Sequence, residues 1–146
     1  METQFNIQWI PTNDLKRILP LAYTLNNEKI PMEVLEDRLS EMIPMGYQCI
    51  GVYDNEKLIG ICGVWVLNKL YSGKHVEPDN VIISPDYQNR GIGKLMMQFL
   101  DNYAKEIGCE GAEVNCYVKN TRGKKFWENH GYEPLGHHMI KKYTDE

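Results

Sequence analysis

These 146 residues contain no Cys-x-x-Cys pair, no Pro- or Ser-rich linker, and no apolar run near the roughly 20 residues a membrane helix needs. Each absence removes a class of protein. Cys49, Cys62, Cys109 and Cys116 have no histidine at zinc-ligand spacing, so neither a thiolate metal centre nor a paired redox motif is expected. Three of the four lie in apolar runs, where cysteine behaves as a small hydrophobe, and reduced thiols in the cytoplasm are the expectation. Without a linker, residues 1–146 read as one domain, large enough to bury roughly two thirds of the surface its unfolded chain exposes. No basic stretch followed by an apolar one opens the chain, so no signal peptide is expected. An excess of positive charge is missing as well. With 16 basic and 20 acidic residues the net charge is −4, which argues against nucleic acid as a partner and agrees with a cationic small substrate.

What is present is a clear order of periodicities. Phe5, Ile7 and Trp9 alternate as in a strand that Pro11 ends. Thr12-Asn13-Asp14 offers an N-cap to a helix carrying Leu15, Ile18, Leu19, Ala22 and Leu25, with Pro20 as a kink. After the loop Asn26 to Lys29, Pro31 opens a second helix through Val34, Leu35, Leu39, Met42 and Ile43, which Gly46 closes. Strands are expected around 48–53, 57–71 and 75–84, joined by Asp54-Asn55-Glu56 and Ser72-Gly73-Lys74 into an antiparallel meander. From Gly91 to Gly108, Ile92, Leu95, Met96, Phe99, Leu100, Tyr103, Ala104 and Ile107 repeat with helical spacing. A strand (Ala112, Val114, Cys116, Val118), a short helix (121–130) and a final strand (139–143) complete the chain. Strand, helix and strand from His75 to Val118 make a βαβ unit, whose strands run parallel. The expected fold is α/β: a mixed, mostly antiparallel central sheet with a splayed parallel pair and helices on both faces.

The chemistry concentrates between the third meander strand and the long helix. The free amides at a helix start, at the positive end of its dipole, form a seat for phosphate. Gly91 and Gly93 permit close approach, and Arg90 and Lys94 add positive charge. The phosphate loop of nucleotide hydrolases fails here, because Leu95 follows Gly93-Lys94 and no glycine lies five residues before Gly93. The dinucleotide fingerprint fails at Met96.

The segment Gln88-Asn89-Arg90-Gly91-Ile92-Gly93 between strand and helix resembles the pyrophosphate loop of the GNAT superfamily of N-acetyltransferases. Asn120, Gly123, Phe126, Trp127, Glu128, Gly131 and Tyr132 resemble that family's later motif. The likeness in motifs runs from about His75 to Tyr132. It implies acetyl-CoA as co-substrate, with the pyrophosphate on the amides of Asn89 to Lys94 and Gln88 completing the loop. It implies that Val81, Ile82 and Ile83 pair with the pantetheine arm as an added strand, and that Asn120 touches the arm from the other side. A backbone amide near Ile82 or Ile83 would hold the oxyanion. Glu77 falls where one branch of the family keeps its general base, with Asp79 on the same face. Another branch uses a position that is Asn115 here, and Glu113 is a weaker candidate two residues earlier. Trp127 stands where many relatives carry a tyrosine acid, and indole has no proton to give at useful pH; Tyr117 and Tyr132 are nearby in sequence. Glu28, in the loop that often borders the acceptor site, is a further candidate for receiving an amine.

The implied activity is acetyl transfer to a primary amine by direct attack in a ternary complex, with no metal, no nucleic acid and no membrane, and with a homodimer allowed. A silent acyl-CoA sensor and a protein-interaction domain are the alternatives. Adjacent His137 and His138 face opposite sides of any strand and make a poor metal pair.

Overall fold

In the computed structural model, which describes residues 5–144, the meander forms from β1 (Asn6–Trp9), β2 (Gln48–Asp54), β3 (Lys57–Lys69) and β4 (Gly73–Ile83). β5 (Gly111–Ala112) joins β4 in parallel, and the sheet order is β1-β2-β3-β4-β5. The turn between β2 and β3 is tight because Asn55 adopts a left-handed conformation, φ 56°, which asparagine tolerates better than most residues.

Alternation along the strands sends one set of side chains to each face, and each face has its own core. On one side Ile50, Val52, Cys62, Val64 and Val76 meet Ile92, Met96, Met97 and Leu100 of α3 (Ile92–Glu106), with Trp127 of α4 (Thr121–Asn129). On the other side Cys49, Tyr53 and Ile61 meet Leu15, Ile18, Leu19 and Leu39 from the N-terminal helical region. That region is α1 (Leu19–Leu25) and α2 (Met32–Met42), preceded by a 3-10 stretch, Thr12–Ile18. The expected fold class is therefore found, with helices on both faces of a mixed sheet.

Three local expectations are corrected. The first helix is not one kinked α-helix. The chain runs as 3-10 helix to Ile18, and Pro20 sits in the first turn of α1, where its missing N–H costs nothing. Its cap position is Pro11, and no side chain caps it. The strand expected over 112–118 shortens to Gly111–Ala112, followed by one more bond, Glu113 N–H to Val76 O at 2.9 Å. Val114 and Cys116 still pack on the α3 core, but the backbone has left β4 and finds no partner. The final strand over 139–143 is absent. Met139 and Ile140 are adjacent, so they would face opposite sides of any strand, and both are exposed together with Tyr143.

Gly63 is required by packing. A Cβ there would overlap the Tyr47 hydroxyl and the Asp79 carbonyl. Gly63→Ala is expected to cost about 1–3 kcal/mol in urea unfolding, since the obstruction includes backbone. Burial keeps the Cys49 and Cys62 thiols protonated, with Cys49 pushed up to about 12. A thiol reagent at pH 8 should therefore modify the half-buried Cys109 and Cys116 in the native protein and reach Cys49 and Cys62 only after denaturation.

Candidate active site

β4 has two neighbours at its start and one at its end. His75 pairs with Gly111 and Val76 with Ala112, and beyond Glu113 the parallel edge is open. On the other side β3 keeps pairing, through Ile61 with Ile82 and Gly60 with Ile83. Between these pairs and Gly63 with Asp79 the register slips, so Asn80 and Val81 together oppose Cys62. This is a bulge, and Asn80 takes its left-handed residue at φ 57°. Asn80 Nδ2 donates to the Tyr47 hydroxyl at 3.2 Å and anchors the bulge to the buried ring.

The consequence is a directed edge. Ser84 N–H donates to Ile59 O at 2.8 Å, toward β3. Strand alternation then turns Ile82 toward β3, and Val81 and Ile83 toward the open side. The side chains agree, because Val81 and Ile83 pack on the α3 core and Ile82 on the opposite one. The backbone groups of Val81 and the amide of Ile83, rather than those of Ile82, thus face the open side, where the Ile83 carbonyl already accepts from Gln88 Nε2.

The edge runs directly into the loop. Gln88 Nε2 donates to Ile83 O at 3.1 Å, folding the loop back onto β4. Asn89 and Gly91 both have positive φ, 64° and 78°, so the chain doubles back just before α3. At Gly91 the requirement is conformational, since a Cβ would meet nothing within 4 Å. At Gly93 it is packing, since a Cβ would lie 2.8 Å from Phe126 Cε1. Close approach of α3 to α4 is therefore one requirement for a glycine at 93. The bond Leu95 N–H to Gly91 O, 3.2 Å, closes the first turn of α3, and the amides of Ile92, Gly93 and Lys94 precede it. The Arg90 guanidinium lies 5.1 Å from the centre of the Tyr87 ring, whose hydroxyl donates to Asp54 at 2.6 Å. Exposed Gln88, Asn89, Arg90 and Lys94 frame the loop, with Ile92 buried beneath.

Asn120 is the N-cap of α4, and its Oδ1 accepts from Gly123 N–H at 2.9 Å. Gly123 is needed because a Cβ would press into the Asn120 carboxamide. Trp127 is buried against Phe126 and Tyr132. Tyr132 carries a buried hydroxyl with no hydrogen-bond partner, and burial raises its phenol well above the usual range. Tyr117 is exposed.

The face of β4 toward the N-terminal helices is acidic. Asp79 accepts from Trp65 Nε1 at 2.9 Å. Glu77 lies 3.2 Å from His75 Nε2 and 3.9 Å from Lys69 Nζ. Glu113, from the chain just past β5, is also 3.2 Å from His75 Nε2. The Tyr71 hydroxyl donates to Glu113 at 2.9 Å and holds its carboxyl below the usual range, reinforced by His75. Sequence reading had singled out Glu77 and Glu113 separately and missed His75. The i, i+2 spacing of His75 and Glu77 was a visible signal of a shared face. Glu28 is exposed on the α1–α2 loop, with φ 59°. A cleft of about 480 Å³ lined by Asp14, Arg17 and Tyr53 lies at the β1 edge, away from this opening.

An open edge on a bulged strand thus leads directly into a helix N-terminus. Residues 12–132 match the model of the acetyltransferase (GNAT) family, and the chain belongs to that family. It is 25% identical over 133 residues to an amino-acid acetyltransferase of Pasteurella multocida, covering 91% of this chain and 28% of that protein. It is 26% identical over 102 residues to the peptidyl-lysine N-acetyltransferase YjaB of Salmonella typhimurium, covering 70% of this chain and 61% of that one. The chain thus spans about a quarter of the first of these curated relatives and somewhat under two thirds of the second. The aminoglycoside N-acetyltransferase AAC(6')-Iy, solved with CoA, superposes with a TM-score of 0.82 at 15% identity, covering 97% of this chain and 96% of that one, a likeness of fold. Among the described residues no helix is long and apolar enough to cross a membrane.

Replacing Asn120 by alanine should cost about 0.5–2 kcal/mol in urea unfolding through the lost cap, while aspartate should retain most of it.

Proposed function

We propose that the chain moves an acetyl group from acetyl-CoA to a primary amine. The observation that carries this reading is the continuity of the open β4 edge with the free amides at the start of α3. An extended arm with two amides fits the edge at Val81 and Ile83, and a pyrophosphate fits the helix start, with Arg90 and Lys94 beside it. No side chain is needed for the oxyanion, because the Val81 amide on the bulge faces the same edge. Amino-acid, peptidyl-lysine and aminoglycoside acceptors among the relatives and structural neighbours support an amine acceptor.

Glu77 is the base in this reading. It takes one proton of the acceptor ammonium, the freed nitrogen attacks the thioester carbon, the C–S bond breaks, and the second proton on that nitrogen passes to water. A thiol of pKa about 8–9 leaves as thiolate without an acid. That suits a site with Trp127 in the tyrosine position and a Tyr132 phenol that holds its proton tightly. Acidic groups Glu77, Asp79 and Glu113 on the acceptor side favour a cationic amine. The same Trp127 supports a second reading, a sensor that binds acyl-CoA without turnover.

Calorimetric titration with acetyl-CoA is expected to show micromolar binding. Binding should be lost in Gly91→Trp, where a side chain at φ 78° distorts the loop, and weakened in Arg90→Glu. No binding by folded wild type would sink the reading. In a thiol-release screen over primary amines, Glu77→Gln is expected to lower kcat about 10²–10⁴-fold and leave acetyl-CoA affinity intact. Binding without turnover on any amine would establish the sensor.

A further inference from the structure

His75 is a polar side chain buried to 1% exposure. Its ring has two ends with different neighbours. Nδ1 lies 3.1 Å from Gly73 O and 3.4 Å from Ser72 Oγ. A carbonyl oxygen only accepts, so the closer partner assigns the ring proton to Nδ1. Nε2, at the other end of the ring, points at two carboxylates. Glu77 Oε1 and Glu113 Oε2 each lie 3.2 Å away, and the three atoms fall within 4.8 Å of one another. Glu113 Oε2 is itself buried and receives no hydrogen bond. One imidazole nitrogen and two carboxylate oxygens thus converge on one point.

We propose that this point is a binding site for a divalent cation of the zinc class, with His75, Glu77 and Glu113 as ligands. The spacing fits. Such a metal bonds imidazole nitrogen and carboxylate oxygen at about 2.0–2.2 Å. Two ligands about 100° apart at those lengths are roughly 3.2 Å from each other, which is the separation found on both edges from Nε2. The surroundings fit as well. A metal-bound histidine commonly gives its other N–H to a backbone carbonyl, the position of Gly73 O, and ligating carboxylates are themselves hydrogen-bonded, as Tyr71 does for Glu113. One imidazole and two carboxylates suit zinc, cobalt or manganese rather than a thiol-seeking metal. Lys69, 3.9 Å from Glu77 and half exposed, is free to swing outward when the cation enters. Metal at this site and proton uptake by Glu77 exclude one another. On the proposed function, the cation is therefore an inhibitor of the base.

The test is a titration of the chelator-treated protein with cobalt(II) chloride, followed by visible ligand-field absorption, with zinc(II) as competitor. One equivalent of cobalt is expected to bind and to be displaced by zinc. The bands should vanish in His75→Asn and in Glu113→Gln, and Tyr71→Phe should weaken binding roughly 10–100-fold. Glu113 is half exposed, so Glu113→Gln decides the matter if His75→Asn does not fold; circular dichroism checks both. No bands in wild type, or equal bands in Glu113→Gln, would overturn the site and leave a proton as the bridge. Acetyl-CoA calorimetry on the metal-free protein reads the loop alone, so failure of the metal site and failure of the acetyltransferase reading are separable.

Discussion

Beyond Val76, β4 is hydrogen-bonded on one side only, and the rest of the site depends on that single break in pairing. A strand inside a sheet cannot recognise anything through its backbone, because both rows of amides are occupied. Here the parallel partner departs after Glu113, while β3 keeps pairing on the other side, with one slip of register opposite Cys62. The bulge at Asn80 and Val81 then sets which amides look outward. An unpaired edge is usually a hazard for aggregation. In this protein it leads into a helix start whose free amides favour an anion, and on the proposed function one ligand with amides and phosphates meets both.

Support for this opening comes from both cores. On the α3 side Val81 and Ile83 are packed beside Ile92, Met96 and Leu100, which fixes the direction of the edge relative to the helix start. On the other side Tyr47 lies beneath Gly63 and receives the Asn80 amide, so the bulge is braced by a buried ring. Gly93 and Phe126 let α3 and α4 approach closely, and Asn120 caps α4 where the chain returns toward the site. The acidic cluster lies on the opposite face from α3. The open edge and helix start on one side and the carboxylates on the other are thereby divided between the two faces of one strand.

The loop was legible in the sequence because its physics is local. Gln88 to Lys94 are consecutive, the left-handed Gly91 precedes an unbroken helical period, and the strand before it is strongly apolar. The meander was legible for the same reason, through alternation and through turns at Asn55 and Gly73. The ends of the chain were not. Val114, Cys116 and Val118 alternate like a strand, yet a strand exists only if a neighbour supplies hydrogen bonds, and alternation says nothing about the neighbour. Met139 and Ile140 are apolar, but side by side they have no common face to bury.

The residue pattern by itself therefore determined the meander, the parallel pair, the helix start after β4 and the family resemblance, since each rests on contacts a few residues long. Only the tertiary structure decided that Val81 and Ile83 rather than Ile82 face the opening, that Asn120 caps α4, and that Gly93 packs against Phe126. It alone brought Glu113 from beyond β5 onto the His75 and Glu77 of β4. Those outcomes depend on register, on a bulge and on where two strands part. These are relations between segments far apart in the chain, and no local periodicity encodes them.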